Sequence, residues 1–202
     1  MRNPVATVLE KTFLFLRRFK PVRERVTLGE FNDYVEREHV ARYKWAQQFC
    51  EGKSVADIAC GTGYGTNILS QVGTLVEGYD RELLCQNQVI DLENQCWQKS
   101  YDVIVSFETI EHLANPEFFL QNVHKTSSLL VVSTPIGEFK GYNPHHKQVW
   151  KEREFRRLLE QWFTCRYYYQ RGESITEEID EPYRFLVAVA VPKHVTSSGR
   201  PT

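Results

Sequence analysis

The sequence is short of the features that mark several protein classes. None of its apolar runs approaches the roughly 20 residues that a membrane-spanning helix needs. It carries almost no net charge: 25 Lys and Arg against 26 Asp and Glu leave −1. The whole molecule is therefore not an electrostatic nucleic-acid binder. The five cysteines, at 50, 60, 85, 96 and 165, are odd in number and include no CxxC pair. That spacing argues against a disulfide framework or a structural zinc site and for a reducing cytoplasm. The N-terminus lacks a secretory pattern, because Glu10, Lys11 and Arg17-Arg18 interrupt its apolar stretch and no small-residue cleavage site follows. Internal repeats and low-complexity segments are also missing.

What is present suits one domain. The chain has 202 residues, 42% apolar and 25% charged, enough to bury a core. Residues 1–33 read as an N-terminal helical cap, 34–192 as the main domain and 193–202 as a flexible tail. The first 26 residues carry a charge of +5, so the rest carries −6. Val5, Val8, Leu9, Thr12, Phe13 and Leu16 fall at helical spacing, and Pro21 stops that helix. It either packs on the body over a cleft or rests on an anionic membrane surface.

From Tyr34 onward helices and strands alternate. Helices are expected over Tyr34–Cys50, Tyr64–Gln71, Pro116–Lys125 and Lys151–Trp162. Strands are expected over Ser54–Ala59, Thr74–Tyr79, Gln88–Leu92, Asp102–Phe107, Ser127–Thr134, Thr164–Gln170 and Phe185–Val191. The order predicts an α/β fold: a doubly wound, seven-stranded, mostly parallel sheet whose last two strands pair antiparallel. The run Glu173–Glu181, with five acidic residues and no basic one, reads as a solvated hairpin loop or as a selector for cationic substrates. Trp150, Trp162 and Tyr167–Tyr169 read as core or cleft wall.

The informative stretch runs from Val55 to Gly65, a strand followed by a turn with Gly61, Gly63 and Gly65 and then a helix. Glycine lets a ligand approach the backbone closely, and the helix that follows presents unpaired N–H groups. Two acids strengthen the signal. Asp57 lies in the first strand, where a buried carboxylate needs a reason. Asp80 ends the second strand and can accept both ribose hydroxyls of an adenosine ligand. In such sheets ligands bind beyond the carboxyl ends of the strands, where the strand order reverses.

These blocks, Asp57-Ile-Ala-Cys-Gly-Thr-Gly-Tyr-Gly65, Gly78-Tyr-Asp80 and Phe107-Glu-Thr-Ile-Glu-His-Leu113, together resemble the class I S-adenosylmethionine-dependent methyltransferases over roughly residues 36–192. The resemblance implies a Rossmann-like methyltransferase fold and S-adenosyl-L-methionine as cofactor. Asp57 would orient its amino group, while Ala59, Gly61 and Gly63 would line its methionine and ribose. Asp80 would hold the ribose, Asp91 and Leu92 the adenine, and Phe107 and Glu108 would lie under the sulfonium. Tyr43, Cys60, Tyr64 and Arg81 belong to the same expected set, and Glu38-His39 with Arg42-Tyr43 resembles a segment that closes over the cofactor. Two departures stand out. Ala59 replaces the family's first glycine, which is tolerated where φ stays negative. Only ten residues separate Asp80 from Asp91, so the intervening helix is two turns at most, or irregular.

On the acceptor side, Glu108, Glu111 and His112 recur at i, i+3, i+4, one face of a helix. His145-His146 follows the fifth strand. Three roles stay open for Glu108, Glu111, His112 and His146. His112 or His146 is a general base, or the four bind Mg²⁺ or Mn²⁺ that chelates two acceptor oxygens, or the Glu-His pair is a cap and a packed imidazole. The pattern Glu-x-x-Glu-His with a later His-Lys-x-x-Trp also resembles RNA 3′-terminal 2′-O-methyltransferases. The resemblance to bacterial members implies a small-molecule or glycan hydroxyl as acceptor. The competing readings are an RNA 2′-O-methyltransferase and a cofactor-binding partner subunit without turnover.

Overall fold

The computed structural model describes residues 27, 29, 33–179 and 182–194. The helix expected over residues 1–26 and the tail from 195 onward lie outside these. Lys193, expected in the tail, is anchored: its N–H donates to the Trp162 carbonyl and its carbonyl accepts from His124.

Helix α1 (Asp33–Cys50) leads into β1 (Ser54–Ile58), α2 (Tyr64–Leu69), β2 (Leu75–Asp80), β3 (Gln88–Val89) and β4 (Tyr101–Phe107). A 3₁₀ turn (Ile110–His112) follows, then α3 (Pro116–Thr126), β5 (Ser127–Pro135), α4 (Glu152–Glu160), β6 (Phe163–Arg171), β7 (Ser174–Thr176) and β8 (Phe185–Pro192). The starts of α3 and α4 follow from local chemistry. Asn115 accepts from the Phe118 N–H with Pro116 next to it. The Lys151 N–H donates to the Glu154 carboxylate at the head of α4.

The strands form one sheet in the order β3-β2-β1-β4-β5-β8-β6-β7. β1 to β5 are parallel, and β8 enters antiparallel between β5 and β6. The strand order reverses between β1 and β4. Alternate side chains of the central strands go to opposite faces, as a pleat requires. Ala56, Ile58, Ile104, Leu130 and Val132 join Phe119, Leu120, Phe155 and Leu159 of α3 and α4 in one core. Val55, Val103, Val105 and Val131 join Tyr43, Ala46 and Leu69 of α1 and α2 in the other. Burial on both faces explains why these strands read as continuous apolar runs.

The α/β class and the doubly wound layering are as expected; three details differ. The sheet has eight strands, because Ser174–Thr176 in the acidic run pairs with β6 as β7. The third strand keeps two residues, Gln88 and Val89, instead of five. Residues 81–87 contain no helix, so the short connection is irregular.

Candidate active site

A cleft of about 890 Å³ opens at the carboxyl ends of β1, β2 and β4, beside the reversal of strand order. Among the described residues two non-glycine residues have positive φ, and both line it: Ala59 (φ 61) after β1 and Glu108 (φ 52) after β4. The condition that Ala59 stays at negative φ is therefore not met. An alanine there holds a left-handed backbone that costs about 1–2 kcal/mol, a strain of the kind that collects at functional sites. A Cβ added at Gly61 would meet no atom within 4 Å, so that backbone faces open space. The Gly61 N–H donates to Asp80 Oδ2 at 3.0 Å and the Glu82 N–H to Oδ1 at 3.3 Å. Asp80 is thus fixed by backbone donors at the cleft wall.

Asp57 sits elsewhere. It is fully buried and accepts from Tyr43 Oη at 3.1 Å and Thr66 Oγ1 at 2.7 Å. Burial pushes its carboxyl up to about 6. Neither Asp57 nor Gly63 lines the cleft. Tyr43 stands between α1 and the turn, and it fits because Gly65 has no side chain: a Cβ there would lie 2.1 Å from the ring. Asp91 and Leu92 line the cleft, but the Asp91 carboxylate closes its own turn, accepting from Glu93 N–H and Asn94 Nδ2. Ala59, Cys60, Tyr64, Arg81 and Phe107 all line it.

α1 roofs the cleft. Arg42 is fully buried, donates to Gln170 Oε1 at 2.6 Å, and lies 3.7 Å from Glu108. Arg184 donates to Glu38 Oε2 at 2.8 Å. Arg42 Nε and Nη2 and Glu38 Oε1 remain buried without hydrogen-bond partners. Orphaned buried polar atoms beside a cleft call for a ligand or water.

At the other end stand the predicted acceptor-side residues. Glu108 and the 3₁₀ turn share no helical face: the positive φ of Glu108 sets it apart, and it accepts from Ser133 Oγ. Burial raises the Glu108 carboxyl above its ordinary range. Glu111 is fully buried; burial, then the neighbouring Glu108, raises its carboxyl well above the ordinary range. Its Oε2 accepts from Thr134 and its Oε1 has no partner. Glu111, His112 and His146 bring ligand atoms within 4.8 Å of one another, and Glu108 is not part of that group. The two imidazole rings meet edge-on at 4.8 Å. His146 Nδ1 donates to Glu138 Oε2 at 2.6 Å, and His112 Nδ1 donates to the His145 carbonyl. With Nδ1 protonated, His146 Nε2 accepts from Asn143 Nδ2 at 2.9 Å. Trp150 and Trp162 pack on the core and not along the cleft.

Sequence reasoning missed Glu138, Ile90 and Arg184, which line the cleft. Glu138 lies eight residues before its histidine, and Arg184 sits just before a strand. No local periodicity marks such positions.

A family model described as "Methyltransferase domain" matches residues 31–178. A curated relative from Mycolicibacterium smegmatis, described as "Probable S-adenosylmethionine-dependent methyltransferase", is 29% identical over 66% of this chain and 60% of its own. The ubiquinone biosynthesis O-methyltransferase of Glaesserella parasuis is 30% identical over 45% of this chain and 49% of its own. The matches thus span about half to three fifths of those relatives' lengths. A TehB-like S-adenosylmethionine-dependent methyltransferase from Corynebacterium glutamicum superposes with a TM-score of 0.61 at 18% identity, over 95% of this chain and 100% of that one. The small RNA methyltransferase HEN1 gives 0.62 at 18% identity, over 86% of this chain and 27% of that one. At these identities the superpositions speak for the fold alone.

Proposed function

The chain belongs to the methyltransferase-domain family; from that premise we propose that it is a class I S-adenosylmethionine-dependent methyltransferase that methylates a hydroxyl oxygen of a small molecule or glycan. The observation that carries the acceptor reading is the Glu138–His146 pair in the same cleft as Asp80. Bound S-adenosylmethionine supplies an electrophilic methyl on a sulfonium. The residues present fit it. Asp80 stands at the cleft wall with its carboxylate fixed by backbone N–H groups, and a carboxylate there is the acceptor type that ribose hydroxyls need. Gly61 leaves room for close approach, and Arg42 Nε and Glu38 Oε1, buried without hydrogen-bond partners, suit a carboxylate and an ammonium.

His146 works as the base. The Glu138 carboxylate holds the Nδ1 proton, which leaves the Nε2 lone pair for the acceptor. The acceptor hydroxyl takes the place of the Asn143 amide on Nε2 and gives up its proton there as its oxygen attacks. Orientation in the cleft contributes the larger share, since alignment alone can supply ~7–11 kcal/mol. The weak likeness to an O-methyltransferase is consistent with an oxygen acceptor.

One observation favours a second reading. Glu111 Oε1 is buried, unpartnered and within reach of both imidazoles. That donor set suits a divalent cation chelated by two acceptor oxygens. Thermal shift tests the donor first: saturating S-adenosylmethionine raises Tm, and no shift would sink the assignment of the cleft. Transfer of labelled methyl is then followed to sugars, phenols and RNA oligonucleotides, with and without chelator. Label in the sugars or phenols that survives chelation supports the base reading. Loss on chelation moves the chemistry to the metal, and label in RNA alone overturns the acceptor class.

A further inference from the structure

Two thiols meet at the cofactor turn. Cys60 Sγ and Cys85 Sγ lie 3.9 Å and 3.8 Å from the same atom, the carbonyl oxygen of Gly61. The Cys85 thiol is near enough to Cys60 to act on it electrostatically. Each has been given space by a missing side chain. A Cβ on Gly78 would lie 2.9 Å from Cys60 Sγ, and one on Gly63 would lie 2.8 Å from Cys85 Sγ. The partners differ in access and in scaffold. Cys60 is buried at the end of β1, whereas Cys85 is half-buried in the irregular 81–87 connection. That segment lacks the ladder bonds of a helix and can follow a moving sulfur. Cys50 and Cys165 are tied to other elements, and Cys96 is exposed on the 90–100 loop.

We propose that Cys60 and Cys85 form a reversible oxidation site that closes to a disulfide and weakens binding of the methyl donor. A lasting structural disulfide does not belong in a reducing compartment, but a transient, sensing one does. The oxidant is a peroxide. The Cys85 thiolate attacks one oxygen of hydrogen peroxide; an S–O bond forms, the O–O bond breaks and hydroxide leaves. Cys60 then loses its proton and attacks the Cys85 sulfur. The S–S bond forms, the S–O bond breaks, and the departing hydroxide takes a proton as water. Two thiols and one peroxide become one disulfide and two waters, with two electrons transferred. Burial raises the Cys60 thiol, which makes Cys85 the attacking sulfur and Cys60 the resolving one.

The effect on binding follows from what the two sulfurs share. Drawing them together turns the Gly61–Thr62 peptide between them. The N–H on the other side of the Gly61 Cα, in the Cys60–Gly61 peptide, holds Asp80 Oδ2, and a Cβ on that Cα would meet open space. Glycine's free backbone carries the torsion across its Cα, which releases the carboxylate and narrows the approach.

The effect on affinity rests on the methyl-donor reading of the cleft; the bridge itself does not. The experiment treats the full chain with hydrogen peroxide and maps peptides without reductant. Affinity for S-adenosylmethionine is measured by calorimetry before oxidation, after it, and after dithiothreitol. The expected result is a Cys60–Cys85 cross-linked peptide, affinity lowered at least roughly tenfold, and full recovery on reduction. Cys85→Ser keeps the reduced affinity and loses the oxidant response, while Cys96→Ser retains it. A map in which Cys60 and Cys85 stay unlinked overturns the proposal, and so does a bridge that leaves affinity unchanged. If the reduced protein binds no S-adenosylmethionine, the reading of the cleft falls and takes the gating claim with it. The peptide map still decides the bridge.

Discussion

The two ends of the cleft are built from different materials. The donor end is backbone: a turn with Ala59 and Gly61 at positive φ, and Asp80 pinned by two N–H groups. The acceptor end is side chains from three separate segments: Glu111 and His112 after β4, Thr134 in β5, and Glu138 with His146 in the loop beyond. One end is a shape held by backbone geometry. The other is a constellation of titratable groups held by side-chain contacts. Under the proposed function the first governs binding and the second governs turnover.

Substitutions can break that division. The largest effect is expected for His146→Ala. Turnover falls on the order of 10²–10⁴-fold, the share a positioned base supplies, while donor affinity by calorimetry stays within about twofold. Full activity in this variant would end its role as base. Asp80→Ala comes next. It removes the acceptor for the ribose and strands the Gly61 N–H, so donor affinity drops by roughly 100-fold or about 2.7 kcal/mol. A small change in Kd would place the donor elsewhere.

Asp57 sharpens the comparison, because it belongs to the donor end by sequence and to the core by contact. Its carboxyl is pushed up to about 6 from an ordinary value near 4. Between those values the folded chain holds a proton that the unfolded chain has released. Stability therefore falls as pH rises from about 4 to about 6, and the loss is complete above that range. Asp57→Asn should flatten this slope, worth on the order of 1–3 kcal/mol. Urea midpoints between these pH values measure it, and an unchanged slope would contradict the assignment to Asp57. The smallest effect belongs to Ala59→Gly. Relief of the left-handed alanine, at about 1–2 kcal/mol, is offset by roughly 0.5–1 kcal/mol of chain entropy. A slight rise in Tm is expected, with binding unchanged; a fall would show that the Ala59 methyl contributes packing that outweighs the strain.

The same contrast explains what the sequence made legible. The turn after β1 and the acid after β2 are contiguous or nearly so in the chain, and apolar runs betrayed the buried strands. Asp57 was legible as a buried carboxylate, but its partner Thr66 directs it toward α2 and away from the cleft. Glu108 and Glu111 were read on one helical face, yet the chain turns through positive φ at Glu108 and leaves a 3₁₀ turn. Arg184 takes its place through a contact across the chain and Glu138 through one made within a loop, and no helix or strand period encodes either. β7 was hidden because three residues in an acidic stretch pair as strand through tertiary context.

The roof over the donor end has a consequence for how the chain is made. Glu38 in α1 meets Arg184, 146 residues later, and Arg42 meets Gln170 at a separation of 128. During vectorial synthesis the glycine turn emerges before Gln170 and Arg184, so its cover cannot be fastened until both have left the ribosome. A nascent chain thus owns a half-built pocket over that interval, and its competence to capture a ligand waits on those two residues.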